Sequence, residues 1–124
     1  MEKKGIVSLW LGNFQNIQEL EEFVNLSYDD DGESVPSRFF LEFNIDIDDI
    51  EEDFIEKAVL ENTSNDIAAL LKGCSYEEVI IPRILDKCNI KLTYNTIILI
   101  YDFEYNGSIQ VSNDTEFITT VNYL

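Results

Sequence analysis

A chain of 124 residues with 45% apolar and 12% aromatic residues has the size and composition of one folded domain, which excludes an intrinsically disordered segment. Acids outnumber bases 25 to 8, for a net charge of −17. That balance excludes a nucleic-acid binder built on a basic groove and disfavours an anionic membrane surface.

No apolar run approaches the roughly 20 residues needed to span a bilayer. The opening residues 1–8 lack the uninterrupted apolar stretch and cleavage site of a signal peptide. A cytoplasmic location is therefore expected. Histidine is absent, which removes His-based zinc sites and Ser-His-Asp or Cys-His catalysis. Cys74 and Cys88 form no CxxC and are expected to be small buried or half-buried apolar residues, not a disulfide.

In chain order, residues 5–11 are rich in β-formers and predict a first strand that stops at Gly12. Asn16 stands three positions before Glu19, a capping-box spacing. Ile17, Leu20, Phe23 and Val24 follow at helical spacing and predict a helix over 16–26. Residues 29–34 form a polar loop. Residues 37–43 alternate like a strand but also fit a short helix capped by Ser37 and closed by a left-handed Asn44, and the helix is preferred.

Residues 45–53 predict an acidic loop or turn, and 54–61 a strand. A capping box over 63–66 opens a short helix, 67–72, which Gly73 stops. Ser75 and Glu78 repeat the capping spacing. Pro82 predicts a break near Ile81 and a new helix from Pro82 to about Cys88. Residues 95–103 carry the strongest strand pattern, and their apolar run predicts a strand covered on both faces. The Asn106-Gly107 pair predicts a hairpin turn into 108–112, and 117–123 a closing strand. The fold class expected is α+β, a single domain with a mainly antiparallel sheet covered by helices.

The acidity is concentrated. Residues 29–61 hold 13 acids and two bases, or −11 of the net −17. Crowded carboxylates repel one another and cost folding free energy unless solubility or a partner compensates. One reading is a negative surface that docks on a basic protein; another is a solvated face that only keeps the chain soluble. A divalent-cation site at Asp46, Asp48 and Asp49 is a third, but the calcium-loop pattern and its glycine are missing. Carboxylate pairs for a small hydrolase exist in number without spacing that singles one out. No glycine-rich phosphate loop is present, so no cofactor is expected.

Among the aromatics, Trp10 on the first strand reads as core, with an interface anchor as the sharper alternative. Tyr76, Tyr94, Tyr101 and Tyr123 read mostly as sheet packing, and Tyr105, beside the Asn-Gly pair, as the most exposed tyrosine. Phe54 reads as an inward anchor for the acidic segment.

Several of these stretches together resemble one family. Val7-Ser8-Leu9-Trp10-Leu11-Gly12-Asn13-Phe14 and the helix around Glu19-Leu20-Glu21-Glu22-Phe23 resemble the start of the immunity protein 22 family of bacterial polymorphic toxin systems. Glu52-Asp53-Phe54-Ile55-Glu56 resembles its acidic-aromatic motif. The stretches 70–76 (Leu-Leu-Lys-Gly-Cys-Ser-Tyr) and 98–105 (Ile-Leu-Ile-Tyr-Asp-Phe-Glu-Tyr) fit in order and position. Asn44 stands where the family pattern has glycine, and Ile50 where an aromatic is usual.

The resemblance implies a non-catalytic cytoplasmic protein that binds and neutralises a toxin domain. Toxins of such systems are often nucleases, whose basic surfaces suit an acidic partner. The residues expected to meet it are Asp46, Asp48, Asp49, Glu51, Glu52, Asp53 and Glu56, with Trp10 or Tyr105 as aromatic anchor.

Overall fold

The structure, a computed structural model, describes residues 2–112 and 114–124. The sheet grows from two long antiparallel strands, β1 (Glu2–Gly12) and β5 (Tyr94–Phe103). Their neighbours are β4 (Ile55–Ser64), which pairs with β5 along one edge, and β7 (Thr115–Asn122), which pairs with β1. The short β6 (Val111–Ser112) completes the order β4-β5-β1-β7-β6. A separate small hairpin joins β2 (Ser27–Tyr28) and β3 (Ser34–Val35).

Strand periodicity sorts the core into two layers. Val7, Leu9 and Leu11 of β1 and Ile97 and Leu99 of β5 face one side. There α3 (Ile67–Leu71) and α4 (Glu77–Lys87) cover them with Ile67, Leu70, Leu71, Ile80 and Ile84. Trp10, Ile98 and Ile100 face the other side, under α1 (Ile17–Val24) and α2 (Arg38–Glu42). Strand β5 is thus buried on both faces, as its apolar run predicts. Trp10 is fully buried, with the rings of Phe39, Phe43, Tyr105 and Phe117 centred 5.1–6.0 Å from its own. Its indole N–H is buried and has no hydrogen-bond acceptor among the described residues.

The helix ends follow their cap residues. Asn16 Oδ1 accepts the Glu19 N–H at 2.8 Å, and α1 closes at Val24. Asn44 takes a left-handed φ of 56° after α2, as expected. Ser37 does not cap α2 through its side chain; its hydroxyl donates to the Val24 carbonyl at 2.8 Å and ties α2 to α1. For α3 the cap is Asp66, which accepts the Ala68 N–H at 3.0 Å, not Thr63. Residue 63 is still in the edge strand.

Two further sequence expectations fail. Pro82 lies inside a continuous α4, with no break at Ile81. The proline removes one intrahelical donor near the helix start, and burial of Ile80 and Ile84 on either side of it offsets that loss. The Asn106-Gly107 pair makes no β-hairpin: neither residue has a positive φ, and β6 pairs with β7, not with β5. Instead the chain folds back over Tyr105. A Cβ at residue 107 would sit 2.6 Å from the Tyr105 hydroxyl, so the glycine allows backbone to lie against that ring.

The β1–β5 pairing is irregular at the end of β5, where β1 bulges. Glu2 pairs with Phe103 and Val7 with Tyr101, so β1 carries extra residues between them. Gly5 and Asp102 take left-handed φ values of 82° and 57° there. Asp102 Oδ1 accepts the Gly5 N–H at 2.9 Å, which fixes the distortion. The bulge inverts the side-chain alternation. Tyr101 packs with the α3–α4 layer, whereas Phe103 and Tyr105 pack with the α1–α2 layer. Among the described residues, no helix is long and apolar enough to cross a membrane.

Candidate functional site

The acidic stretch folds as two consecutive single 3-10 turns, Ile47–Asp49 and Glu52–Phe54, leading into β4. Asp46 starts the first by accepting the Asp48 N–H at 2.9 Å. Ile47, Ile50 and Ile55 tuck partly into the α1–α2 layer and hold the segment to the body. Phe54, expected to be that inward anchor, is instead 42% exposed. The isoleucines occupy the space under the turns, which leaves the phenyl ring outside.

The carboxylates separate by role. Asp46, Asp48, Glu51, Glu52 and Asp53 are exposed. Glu52 accepts the Tyr28 hydroxyl through both oxygens at 3.2 Å, which pins the β2–β3 hairpin to the acidic turn. That bond holds the Tyr28 phenol above its ordinary value. Asp49 is half-buried. Glu56, on β4, serves the fold: Oε1 accepts the Tyr101 hydroxyl at 2.7 Å and the Ser75 N–H at 3.0 Å. Tyr101 also contacts the Ser75 carbonyl at 2.9 Å. Burial first, then the Glu56 carboxylate, keep the Tyr101 phenol protonated well above its usual range.

An open groove of about 580 Å³ lies beside this network. Asp53, Phe54, Glu56, Tyr76, Tyr101 and Tyr123 are among the residues that line it. Tyr76 is 53% exposed and takes a left-handed φ of 61° immediately before α4. Its ring centre lies 4.8 Å from Tyr123 and 6.2 Å from Tyr101. Tyr123 meets Tyr101 edge-on at 5.2 Å, and its hydroxyl donates to Asp102 Oδ1 at 2.5 Å. That bond, then burial, raise the Tyr123 phenol to about 12. The bulge aspartate therefore positions a wall of the groove.

Three stretches singled out in the sequence, 52–56, 70–76 and 98–105, meet at this groove. The sequence marks its tyrosines mostly as sheet-packing residues. No local signal marks Tyr76 as left-handed, and Tyr123 arrives from the distant C-terminal strand. Trp10 and Tyr105, expected as aromatic anchors, lie in the core at 0% and 6% exposure. The Tyr105 hydroxyl faces the Phe43 and Ile109 carbonyls at 3.0 and 2.7 Å, which draws the residue inward and corrects the expectation of exposure. Both cysteines are free thiols, Cys74 buried and Cys88 half-buried. Burial, then Glu56 and Glu77, raise the Cys74 thiol to about 11.

The bases of the α4 face are engaged with the fold and do not screen the acidic turns. Arg83 donates to the Asn122 and Leu124 carbonyls at 2.9 and 3.2 Å, and Lys87 to the Thr120 carbonyl at 2.7 Å. Arg38 pairs with Glu42 at 3.1 Å on α2. The turns and groove thus set exposed carboxylates beside exposed aromatic rings.

No curated protein and no solved structure matches the chain. The model of one protein family, described as Immunity protein 22, matches residues 7–124, nearly the whole length. That span takes in β1 from Val7 onward, α1 to α4, the acidic turns and all the groove residues, and the chain belongs to the Immunity protein 22 family.

Proposed function

We propose that this immunity protein acts without catalysis, in the cytoplasm, by docking its acidic turns onto a basic toxin domain of a polymorphic toxin system. The observation that supports the reading best is the exposed run Glu51, Glu52 and Asp53 next to the exposed ring of Phe54. Interface energy concentrates in aromatic anchors rimmed by charge, and charge complementarity speeds encounter. Asp46 and Asp48 extend the same surface, with Asp49 half-buried behind them. Glu56 contributes charge from a fixed position.

A nuclease toxin fits this surface, because a nuclease carries clustered Lys and Arg to hold phosphates. Carboxylates on the turns then occupy the positions of phosphates. Trp10 and Tyr105 support the surface from below and do not touch the partner.

The test is co-expression with a candidate toxin, the C-terminal domain of whichever large secreted protein is encoded beside this chain. A stable complex with rescued growth is the expected result. Toxicity that persists with no complex formed overturns the reading for that partner.

A further inference from the structure

The groove differs from a plain acidic patch because one carboxylate in it is already oriented. Glu56 is held by the Ser75 N–H and the Tyr101 hydroxyl. Its Oε2 makes only a long contact, 3.3 Å, to that same N–H. An ionised carboxylate has about four acceptor positions, so acceptor capacity remains for a guest. Tyr76 and Phe54, 53% and 42% exposed, both offer aromatic surface to the groove.

The lining selects its guest. An apolar side chain would strip water from Asp53 and Glu56 without returning hydrogen bonds. An anion is repelled. A metal ion lacks ligands, since no cluster of three or more acids or cysteines exists among the described residues. Lys57 follows Glu56 on β4 but pairs with Ile98, so its side chain points to the other face of the sheet, and a positive charge on the guest is what balances the lining carboxylates. A guanidinium combines that charge with a flat face that stacks on aromatic rings and a donor fork that matches a carboxylate. An ammonium carries the charge but does not stack.

Building on the docking reading above, we propose that this groove seats an arginine side chain of the bound toxin domain, with its guanidinium on Glu56 and its face against Tyr76 and Phe54. Tyr101 and Tyr123 are then positioning residues: the first orients Glu56, and the second, tethered to Asp102, supports Tyr76.

The test uses the chain alone and small probes. Backbone amide NMR shifts are followed while N-acetyl-arginine amide, N-acetyl-lysine amide or the neutral N-acetyl-citrulline amide is added. Saturable shifts at Glu56, Lys57, Ser75 and Tyr76 are expected with the arginine probe. The lysine probe should bind about tenfold more weakly through loss of stacking, and the citrulline probe should not saturate. Tyr76→Asn, which tolerates a left-handed backbone, should abolish the saturable shifts, and Tyr76→Phe should retain them. Glu56→Gln keeps an acceptor for Ser75 and Tyr101 but removes the charge, and should also abolish them.

Equal binding of the arginine and citrulline probes overturns the proposal. So do unsaturating shifts spread over all acidic segments, or a folded Tyr76→Asn chain that binds like the wild type. Arginine binding without a toxin complex upholds the seat and rejects the toxin reading. A normal toxin complex formed by Tyr76→Asn and Glu56→Gln rejects the seat and leaves the docking reading standing.

Discussion

Tyr105→Phe separates a core role from an interface role. The hydroxyl lies 3.0 Å from the Phe43 carbonyl and 2.7 Å from the Ile109 carbonyl, and both contacts share one phenolic proton. Removing it deletes one donated hydrogen bond and leaves two poorly hydrated carbonyls short of a donor. The ring itself stays against Trp10, Phe43 and Phe117, so no large cavity opens. The Tyr105 N–H still donates to the buried Ser8 hydroxyl at 3.0 Å. The expected cost is about 1–2 kcal/mol, one hydrogen bond plus partial desolvation. With a urea slope of about 1.5 kcal/mol/M, the unfolding midpoint should fall by roughly 1 M at unchanged slope. Binding of the toxin domain to the folded variant should be unaltered. An unchanged midpoint, or a lost complex at unchanged stability, refutes the inward placement of Tyr105.

Pro82→Ala should stabilise the chain by about 1–2 kcal/mol in urea unfolding, because an exposed interior helix position regains its donor; a destabilised variant would show that the proline shapes α4 favourably. The tyrosines predict a pH dependence. Tyr28, Tyr94, Tyr101, Tyr105 and Tyr123 are all held above the ordinary 10.0, Tyr123 at about 12. The folded chain then binds more protons than the unfolded chain above pH 10, so the stability these groups supply is complete below pH 10 and falls as pH rises toward 12. The urea midpoint should drop over that window, and phenolate absorbance should appear late in the native protein; native titration near 10 with a flat midpoint would contradict it.

Most of the architecture was legible because local signals agreed with burial. The Asn16 box, the Leu20–Phe23–Val24 stripe and the apolar run at 97–101 each named one outcome, and the sheet delivered it. The failures came where tertiary contacts outvoted a local rule. Pro82 breaks a lone helix, but Ile80 and Ile84 hold this one against the sheet. Asn106-Gly107 favours a tight turn, but the bulge at Asp102 had already turned Tyr105 inward, and the following chain wraps that ring.

At the site, sequence gave charge without geometry. The 46–56 carboxylates could be counted, but nothing local told Glu56, held by Tyr101 and Ser75, from Glu51 or Asp53 in solvent. The groove was illegible for a simpler reason. Its walls come from residues 54, 76, 101 and 123, which only the sheet and α4 bring together.

The most direct measurement is the association rate with the toxin domain that co-expression identifies, for the wild type and for Glu51→Lys/Glu52→Lys/Asp53→Lys, at about 0.05 M and 0.5 M salt. These side chains are exposed, so stability should move by no more than about 0.5 kcal/mol. The account predicts a wild-type rate that falls steeply with salt, and a variant rate about tenfold or more slower at low salt with a flatter dependence. Equal rates for the two proteins at both salts would place the toxin interface away from the acidic turns.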